Sequence, residues 1–337
     1  MEDELILVTG GAGFIGSHVV DALLTRGTDV RVLDDFSTGK EENLDGAWSL
    51  AAQGGAGLQV VEGDVRDEVR MRDAVDGCSA VVHLAAIASV GQSVEDPLGC
   101  DSVTHGGTVN AVRQAVEAGA QRFVLASSCA VYGDATEMPI AESTRPNPLS
   151  PYAGAKLASE GVCADAADAG QITAVCLRFF NVYGPRQDPG SAYSGVISRF
   201  LAAAAAGDAV TIYGDGRQSR DFVYVGDVVA AILQAVHKPL VGTSILNVGT
   251  GRESDLLQVL QVVEDKAGKT LERRMEPTRE GDIRHSRADV GRARWVLGWE
   301  AEIPLAAGLA HTWAWFAGGY GPEVATWKFP PKGRNGK

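Results

Sequence analysis

The sequence predicts an α/β chain: a Rossmann-type, doubly wound parallel sheet with a smaller C-terminal lobe. Three observations carry that reading. Continuous Val/Leu/Ile runs alternate with helix-period segments through the first half of the chain, as strands buried on both faces require. A glycine-rich turn joins the first run to the first helix. The alternation weakens after about Arg178, where a Gly/Pro/Asn/Asp-rich stretch begins.

The elements follow in order. Residues 5–8 read as a buried strand and 14–25 as a helix. Further strands are expected at 30–33, 58–61, 80–84, 123–126, 173–177 and 245–248. Helices are expected at 103–118, 152–169, 196–206, 225–236, 254–267 and 288–297. Residues 1–180 form the nucleotide-binding half, with parts of 215–250 returning to it. Residues 181–330 form mainly the second lobe, and 328–337 a loose tail.

The turn reads Thr9-Gly10-Gly11-Ala12-Gly13-Phe14-Ile15-Gly16. Gly10 permits the tight turn, Gly13 lets a pyrophosphate approach the backbone, and Gly16 lets the helix pack close to the strand. The helix N-terminus offers free N–H groups to phosphate. Asp34 and Asp35 end the second strand, 18 residues after Gly16. A carboxylate there accepts hydrogen bonds from the adenosine ribose and repels a 2′-phosphate, which favours NAD over NADP.

Tyr152 and Lys156 stand four apart and share a helix face. A phenol ionises near 10. A neighbouring ammonium and a cationic nicotinamide would both stabilise the phenolate, making Tyr152 a base near neutrality. The spacing alone is not specific; its place after the fifth strand is informative. Ser127 and Ser128 end that strand, at the sheet edge where ligands bind.

Composition narrows the partners. The 337 residues hold 43 acids against 30 Lys and Arg, a net charge of −13. That field repels nucleic acid, and any anionic ligand needs local basic residues. Five cysteines without a CxxC pair suggest reduced thiols in a cytoplasmic protein. The acidic N-terminus reads as no signal peptide, and the apolar stretch 305–315 is too short to span a bilayer. The six histidines form no metal-ligand spacing, so no metal is expected. His83 reads as a core residue and His285 as a surface one.

Ordered motifs extend the picture: TGGAGFIGSH (9–18), VLDDFSTGK (32–40), GDVRD (63–67), HLAA (83–86), SSCAVYGD (127–134), SPYAGAKLASE (150–160), FFNVYGPRQDP (179–189), YGDGRQSRDFVYVGDV (213–228) and REGDIRHSRADV (279–290). Together they resemble the extended short-chain dehydrogenase/reductase family over nearly the whole chain, and within it the UDP-glucose and UDP-N-acetylglucosamine 4-epimerases. The resemblance implies that Ser128, Tyr152 and Lys156 are catalytic. It implies NAD contacts at Gly10, Gly13, Phe14, Ile15, Gly16, Asp34, Asp35, Ser37, Gly39, Asp64, Val65, Leu84, Ala85 and Ala86, with Tyr152 and Lys156 also touching the cofactor. Substrate contacts map onto Ser128, Cys129, Tyr152, Asn181, Val196, Arg220, Arg279, Asp282 and Ser286. The implied reaction takes a hydride from C4 of a UDP-sugar and returns it to the opposite face of a 4-keto intermediate. A homodimer through helices 103–118 and 152–169 is implied as well.

Three departures bear on substrate. Related dehydratases carry an Asp-Glu pair where Cys129 and Ala130 stand, which disfavours loss of water. Glucuronate-type 4-epimerases usually have Thr at Asn181. Ser286 is small where members restricted to plain hexoses carry Tyr, so UDP-GlcNAc/UDP-GalNAc is expected, alongside UDP-Glc/UDP-Gal. The competing readings are a UDP-glucuronate 4-epimerase, a dehydratase or reductase of the same fold, and a non-catalytic NAD-binding regulator.

Overall fold

The computed structural model describes residues 4–189, 195–278 and 283–318. Six strands of the N-terminal half are β1 (Leu5–Thr9), β2 (Asp29–Asp34), β3 (Leu58–Glu62), β4 (Ala80–His83), β5 (Arg122–Ser128) and β6 (Thr173–Phe179). With the later strand Thr243–Val248 they form one seven-stranded parallel sheet. Its order is Thr243–Val248, β6, β5, β4, β1, β2, β3. Winding starts at β1 and runs outward both ways, so the ends of β1 and β4 diverge. A crevice opens there, at the C-terminal edge.

Helices cover both faces. Helix α1 (Phe14–Thr25) and the helix Val225–His237 pack on one side. Helices Glu68–Val75, Gly107–Glu117 and Pro151–Asp168 pack on the other, burying Met71, Ala111, Ala115, Cys163 and Ala167 against Leu7, Leu33, Phe123 and Leu125. The first core is continuous with the C-terminal lobe, where Phe200, Leu201, Val259, Leu260 and Leu309 join Ile6 and Val8 in one cluster. The second lobe is therefore built onto the sheet's own core.

Local chemistry sets the helix starts. Asp67 accepts from the N–H groups of Val69 and Arg70 at 2.9 and 3.0 Å, opening Glu68–Val75. Ser150 accepts from Ala153 N–H at 3.2 Å and Pro151 fills the first turn, opening Pro151–Asp168. Asp255 and Gln258 form a reciprocal capping box at 2.7 and 3.0 Å that opens Leu256–Ala267.

Several expected boundaries move. The fourth strand ends at His83, since Leu84 already turns back and its N–H donates to Thr9 O at 3.1 Å. The helix expected at 103–118 begins earlier, as Pro97–Asp101 after the Asp96 cap, and passes through a wide π-turn at Ser102–Gly106. Residues 254–255 are a short strand. The last expected helix starts at Gly291, because Ala288 bridges to Ile140 and its N–H donates to Asp221 at 3.1 Å. Helices Asp45–Ala52 and Glu68–Val75 were not anticipated. Arg279, Asp282 and the tail 328–337 lie outside the described residues.

In the second lobe, Asn181–Tyr183 pairs in parallel with Phe222–Tyr224. Ser219–Arg220 lies between Ser254–Asp255 and His285–Ser286. Among the described residues, no helix is long and apolar enough to cross a membrane.

Candidate active site

The glycine turn leaves β1 at the crevice. Gly10 has φ +69°, and a Cβ there would sit 2.8 Å from the backbone nitrogen of Ala85. A Cβ on Gly16 would fall 2.1 Å from Gly10 O. These two glycines let turn, helix and β4 loop touch. Gly13 is different: its Cβ would meet only Gly10 O, at 3.2 Å, with open space beyond. Gly13 is also the N-cap of α1 and supplies no side-chain cap, so the helix N–H groups face the crevice unblocked.

Asp34 braces this turn. Its carboxylate accepts from Ala12 N–H and Phe36 N–H, both at 2.9 Å. Burial raises its pKa, and these two bonds pull it down. Asp35 points elsewhere: it is exposed and accepts from Ser37, the hydroxyl at 2.6 Å and the N–H at 3.0 Å. Gly39 is kept small by Asp34, since a Cβ would lie 2.7 Å from its Oδ1. Val65 follows β3, and its carbonyl accepts from Asn110 Nδ2 at 2.8 Å. Asp64 beside it pairs with Arg66, which holds its carboxyl below the usual range. Leu84, Ala85 and Ala86 leave β4 directly opposite the turn.

The side chains expected to react gather at the next strand. Ser128 ends β5 beside Tyr152, and its hydroxyl accepts from Ala130 N–H at 3.1 Å. Lys156 is buried one turn below Tyr152. Its ammonium donates to Ala126 O at 2.7 Å and lies 6.0 Å from the centre of the Tyr152 ring. Burial lowers Lys156 to about 8. It pushes Tyr152 up to about 12, with the Ser128 hydroxyl acting the other way. Both groups sit in a medium that penalises charge of either sign.

The second lobe closes over this group. Cys129 lies beside Ser286, and burial pushes its thiol up to about 12. Ser286 is buried, on the strand beside Ser219–Arg220. Arg220 acts electrostatically on Cys129, and its guanidinium donates to Ser219 O at 2.9 Å. Asn181 opens the strand after β6, and its N–H donates to Asp221 O at 3.0 Å. Val196 begins the helix Val196–Ala206. Ser128, Cys129, Tyr152, Arg220 and Ser286 thus converge, while the glycine turn and Asp34 lie along the same sheet edge.

Residues 6–249 match the model of the NAD-dependent epimerase/dehydratase family. The chain belongs to that family. Its cofactor is NAD. The chain is similar to UDP-glucose 4-epimerase of Mycolicibacterium smegmatis, 39% identical over 312 residues that cover 92% of this chain and 97% of the relative. It is similar in structure to a UDP-N-acetylglucosamine 4-epimerase from Methanobrevibacter ruminantium solved with UDP-N-acetylmuramic acid. That match has a TM-score of 0.88, 33% identity, and coverage of 94% and 99%. A UDP-glucose 4-epimerase from Thermus thermophilus solved with NAD matches at a TM-score of 0.83, with 36% identity and coverage of 94% and 100%.

The chain's own residues fit the family's cofactor. The open side of Gly13, the uncapped start of α1 and the buried Asp34 provide, in order, room, donors and an acceptor. His83 holds the β4 end from below, its Nδ1 2.8 Å from the Thr9 hydroxyl. It is a core residue as expected, with its Nε2 buried and unpartnered.

Residues that sequence reasoning missed lie beneath the family's reactive group. Glu160 and Arg178 form a buried ion pair, both only 3% exposed. Asp221 is fully buried and accepts from Thr250, Gly251 and Ala288 N–H groups, so it anchors the segment leading from Ser286. The available signals were Arg178 inside the apolar strand β6 and Asp221 directly before the apolar strand Phe222–Tyr224. His285 is exposed, and its Nδ1 lies 2.7 Å from the Ser219 hydroxyl.

Proposed function

We propose that this protein is a UDP-sugar 4-epimerase that interconverts UDP-GlcNAc and UDP-GalNAc, and also UDP-Glc and UDP-Gal. The observation that carries the reading is Tyr152 beside Ser128, with a buried Lys156 held 6.0 Å from its ring centre, in a site with no acid at the two positions after Ser128. NAD, when bound, would supply the hydride acceptor and donor for C4 of the sugar.

The chain's residues do the rest. Tyr152 takes the O4 proton, and Ser128 bridges it to that oxygen. Lys156, fixed on Ala126 O, orients the cofactor ribose and keeps positive charge below the phenol. Gly13 and the start of α1 take the pyrophosphate, with Phe14, Ile15 and Gly16 shaping that turn. Asp34 takes the adenosine ribose, and Asp35, Ser37 and Gly39 close the loop beside it. Asp64 and Val65 line the adenine, and Leu84, Ala85 and Ala86 line the nicotinamide side. Asn181, Val196, Arg220, Arg279 and Asp282 hold the nucleotide while the keto sugar turns. With Cys129 and Ala130 in place of acids, nothing is positioned to protonate a leaving hydroxyl, so water is not lost.

The substrate range rests on Ser286. Its side chain is small and buried beside Cys129, where a Tyr would be far bulkier. We further propose a cytoplasmic homodimer through the helices around 97–117 and 151–168. Five free cysteines support the compartment, and the exposed Leu98 and Val109 support the interface.

The test is direct turnover. Purified protein without added NAD is mixed separately with UDP-GlcNAc, UDP-Glc and UDP-glucuronate, and the C4 epimers are quantified by proton NMR. Formation of UDP-GalNAc without net NADH is expected. Conversion of UDP-glucuronate alone would overturn the use made of Asn181 and Ser286. Loss of water from any substrate would overturn the epimerase reading.

A further inference from the structure

Two consecutive residues of β5 grip two successive turns of one helix, and the next lies beside the turn above. Ala126 O accepts from Lys156 Nζ at 2.7 Å, the Ser127 hydroxyl donates to Glu160 Oε1 at 2.5 Å, and Ser128 ends the strand beside Tyr152. Tyr152, Lys156 and Glu160 stand at i, i+4 and i+8, so they share a face. Two of the three belong to the reactive group. The third, Glu160, is buried away from any substrate.

Glu160 is held from its far side as well. Arg178 on β6 meets it in a fork, Nε to Oε1 at 2.8 Å and Nη2 to Oε2 at 2.6 Å. A two-pronged pair fixes the carboxylate plane as well as its distance. The Arg178 guanidinium also lies over the Tyr132 ring, 4.7 Å from its centre. Tyr132 donates to Asn247 Oδ1 at 2.7 Å, and the Asn247 amide donates to the carbonyls of Ile140 and Asp289 at 2.9 and 3.1 Å. The chain of contacts therefore runs from the floor of the site to the segment that carries Ser286.

Stability is a poor reason for such an arrangement. A well-packed apolar pair of similar volume commonly equals or exceeds a buried ion pair in stabilisation. Geometry is a better one. Adjacent strand residues point to opposite faces, so pinning Ser127 below sets the rotation of the strand and hence the direction of Ser128.

We propose that Ser127, Glu160 and Arg178 are positioning residues that hold Ser128, Tyr152 and Lys156 in reacting register, with Tyr132 and Asn247 carrying the same constraint to the Ser286 strand. Where turnover is read, the inference rests on the 4-epimerase reading; the titration below does not.

The test uses full-length protein loaded with NAD. Glu160→Met with Arg178→Met removes both charges together, so neither is left buried alone; Ser127→Ala removes one hydroxyl. The paired variant should melt close to wild type and keep its KM within about twofold, while kcat falls about 100-fold, the scale of a misplacement near 1 Å. Ser127→Ala should lose about tenfold in kcat at unchanged KM. Tyrosinate absorbance against pH, taken as the difference from Tyr152→Phe in each background, gives the second readout. Tyr152 should ionise about one pH unit higher in the paired variant, because its partners are displaced. The titratable groups facing Tyr152 are Cys129, Cys100 and Lys156, and those facing Lys156 are Tyr152, Cys100 from the Pro97–Asp101 helix, His83 from β4, and Cys163 and Glu160 from its own helix. Of these, only Glu160 is changed.

Paired-variant kcat and Tyr152 titration both equal to wild type would overturn the proposal and leave Glu160–Arg178 as scaffolding. If the paired variant fails to fold, Ser127→Ala decides by the same two readouts. If wild type turns over no UDP-sugar, the epimerase reading fails and the titration alone decides the positioning role.

Discussion

Two glycines of one turn should fail in different ways when each is replaced by Ala. At Gly16 a Cβ would lie 2.1 Å from Gly10 O and 2.8 Å from Gly11 Cα. Both obstacles are backbone, so neither swings aside, and α1 must lift away from β1. Overpacking of this kind costs about 3 kcal/mol or somewhat more. For 337 residues the unfolding entropy is about 0.7 kcal/mol per kelvin, so the melting temperature should fall by about 4 °C. At Gly13 the backbone has φ −76° and ψ 180°, which Ala adopts freely. Its Cβ would meet only Gly10 O at 3.2 Å, so the fold should change by less than about 1 kcal/mol. The same methyl occupies the space where phosphate meets the helix N–H groups. Losing one or two charge-assisted hydrogen bonds there weakens NAD by about 10- to 100-fold. Melting curves with and without NAD separate the cases. Gly16→Ala should melt low under both conditions. Gly13→Ala should melt like wild type alone and lose the stabilisation by NAD. Wild-type NAD affinity in Gly13→Ala would refute the assignment of that space to the pyrophosphate.

Further expectations concern single side chains. Tyr152→Phe should retain NAD and fold normally while turnover falls by about 100-fold or more, measured by NMR at saturating UDP-sugar; a fall of less than tenfold would remove Tyr152 from the proton path. Ser286→Tyr should cut UDP-GlcNAc turnover at least about tenfold and spare UDP-Glc, because bulk replaces a small buried group; equal losses on both sugars would show that Ser286 does not select. His18 is buried, its Nε2 3.0 Å from Pro185 O, and burial lowers it to about 3. The unfolded chain binds that proton near 6.5, so His18 costs stability as pH falls from 6.5 toward 3. Relative to His18→Gln, wild type should lose about 2 kcal/mol between pH 6.5 and 4.5 in urea titrations. An unchanged difference between the two would show that His18 is charged in the fold.

What could be read from the sequence depended on how local each signal was. The turn Gly10–Gly16 and α1 were legible because glycine spacing and apolar period act over neighbouring residues. The same holds for Val196–Ala206, whose bounds the structure reproduces. The small strands Ser219–Arg220 and His285–Ser286 were not legible, since two residues carry no period and are fixed by their partners. The π-turn at Ser102–Gly106 also has no local cause. Thr104 there accepts from Ile87 N–H at 3.2 Å, and its carbonyl accepts from the Ser159 hydroxyl at 3.2 Å. Glu160 and Arg178 are 18 apart, and only the parallel pairing of β5 with β6 brings them under Ser127. The cofactor half was thus more readable than the floor of the reactive site.

The order of ionisation in the site has a consequence for how its chemistry starts. With Lys156 at about 8 and Tyr152 at about 12, rising pH discharges the ammonium before the phenol gives up its proton. Both shifts have one cause, burial, which disfavours charge of either sign. The same low polarity amplifies any charge placed close by. Tyr152 should therefore be a poor base in the protein alone and become a competent one only when positive charge is added beside it. NAD and NADH share a shape and differ by one positive charge on the ring, so they isolate that effect. Tyr152, read as the absorbance difference from Tyr152→Phe, should ionise about two pH units lower in the NAD form than in the NADH form. Equal titration in the two forms would sink the argument and return the task to Lys156. The thiols fit the same logic. Burial keeps Cys129 up at about 12, and Cys100 is shifted upward too, so neither competes for the proton at neutral pH. Proton removal from the sugar is then tied to the oxidised cofactor, and a reduced site leaves the phenol inert.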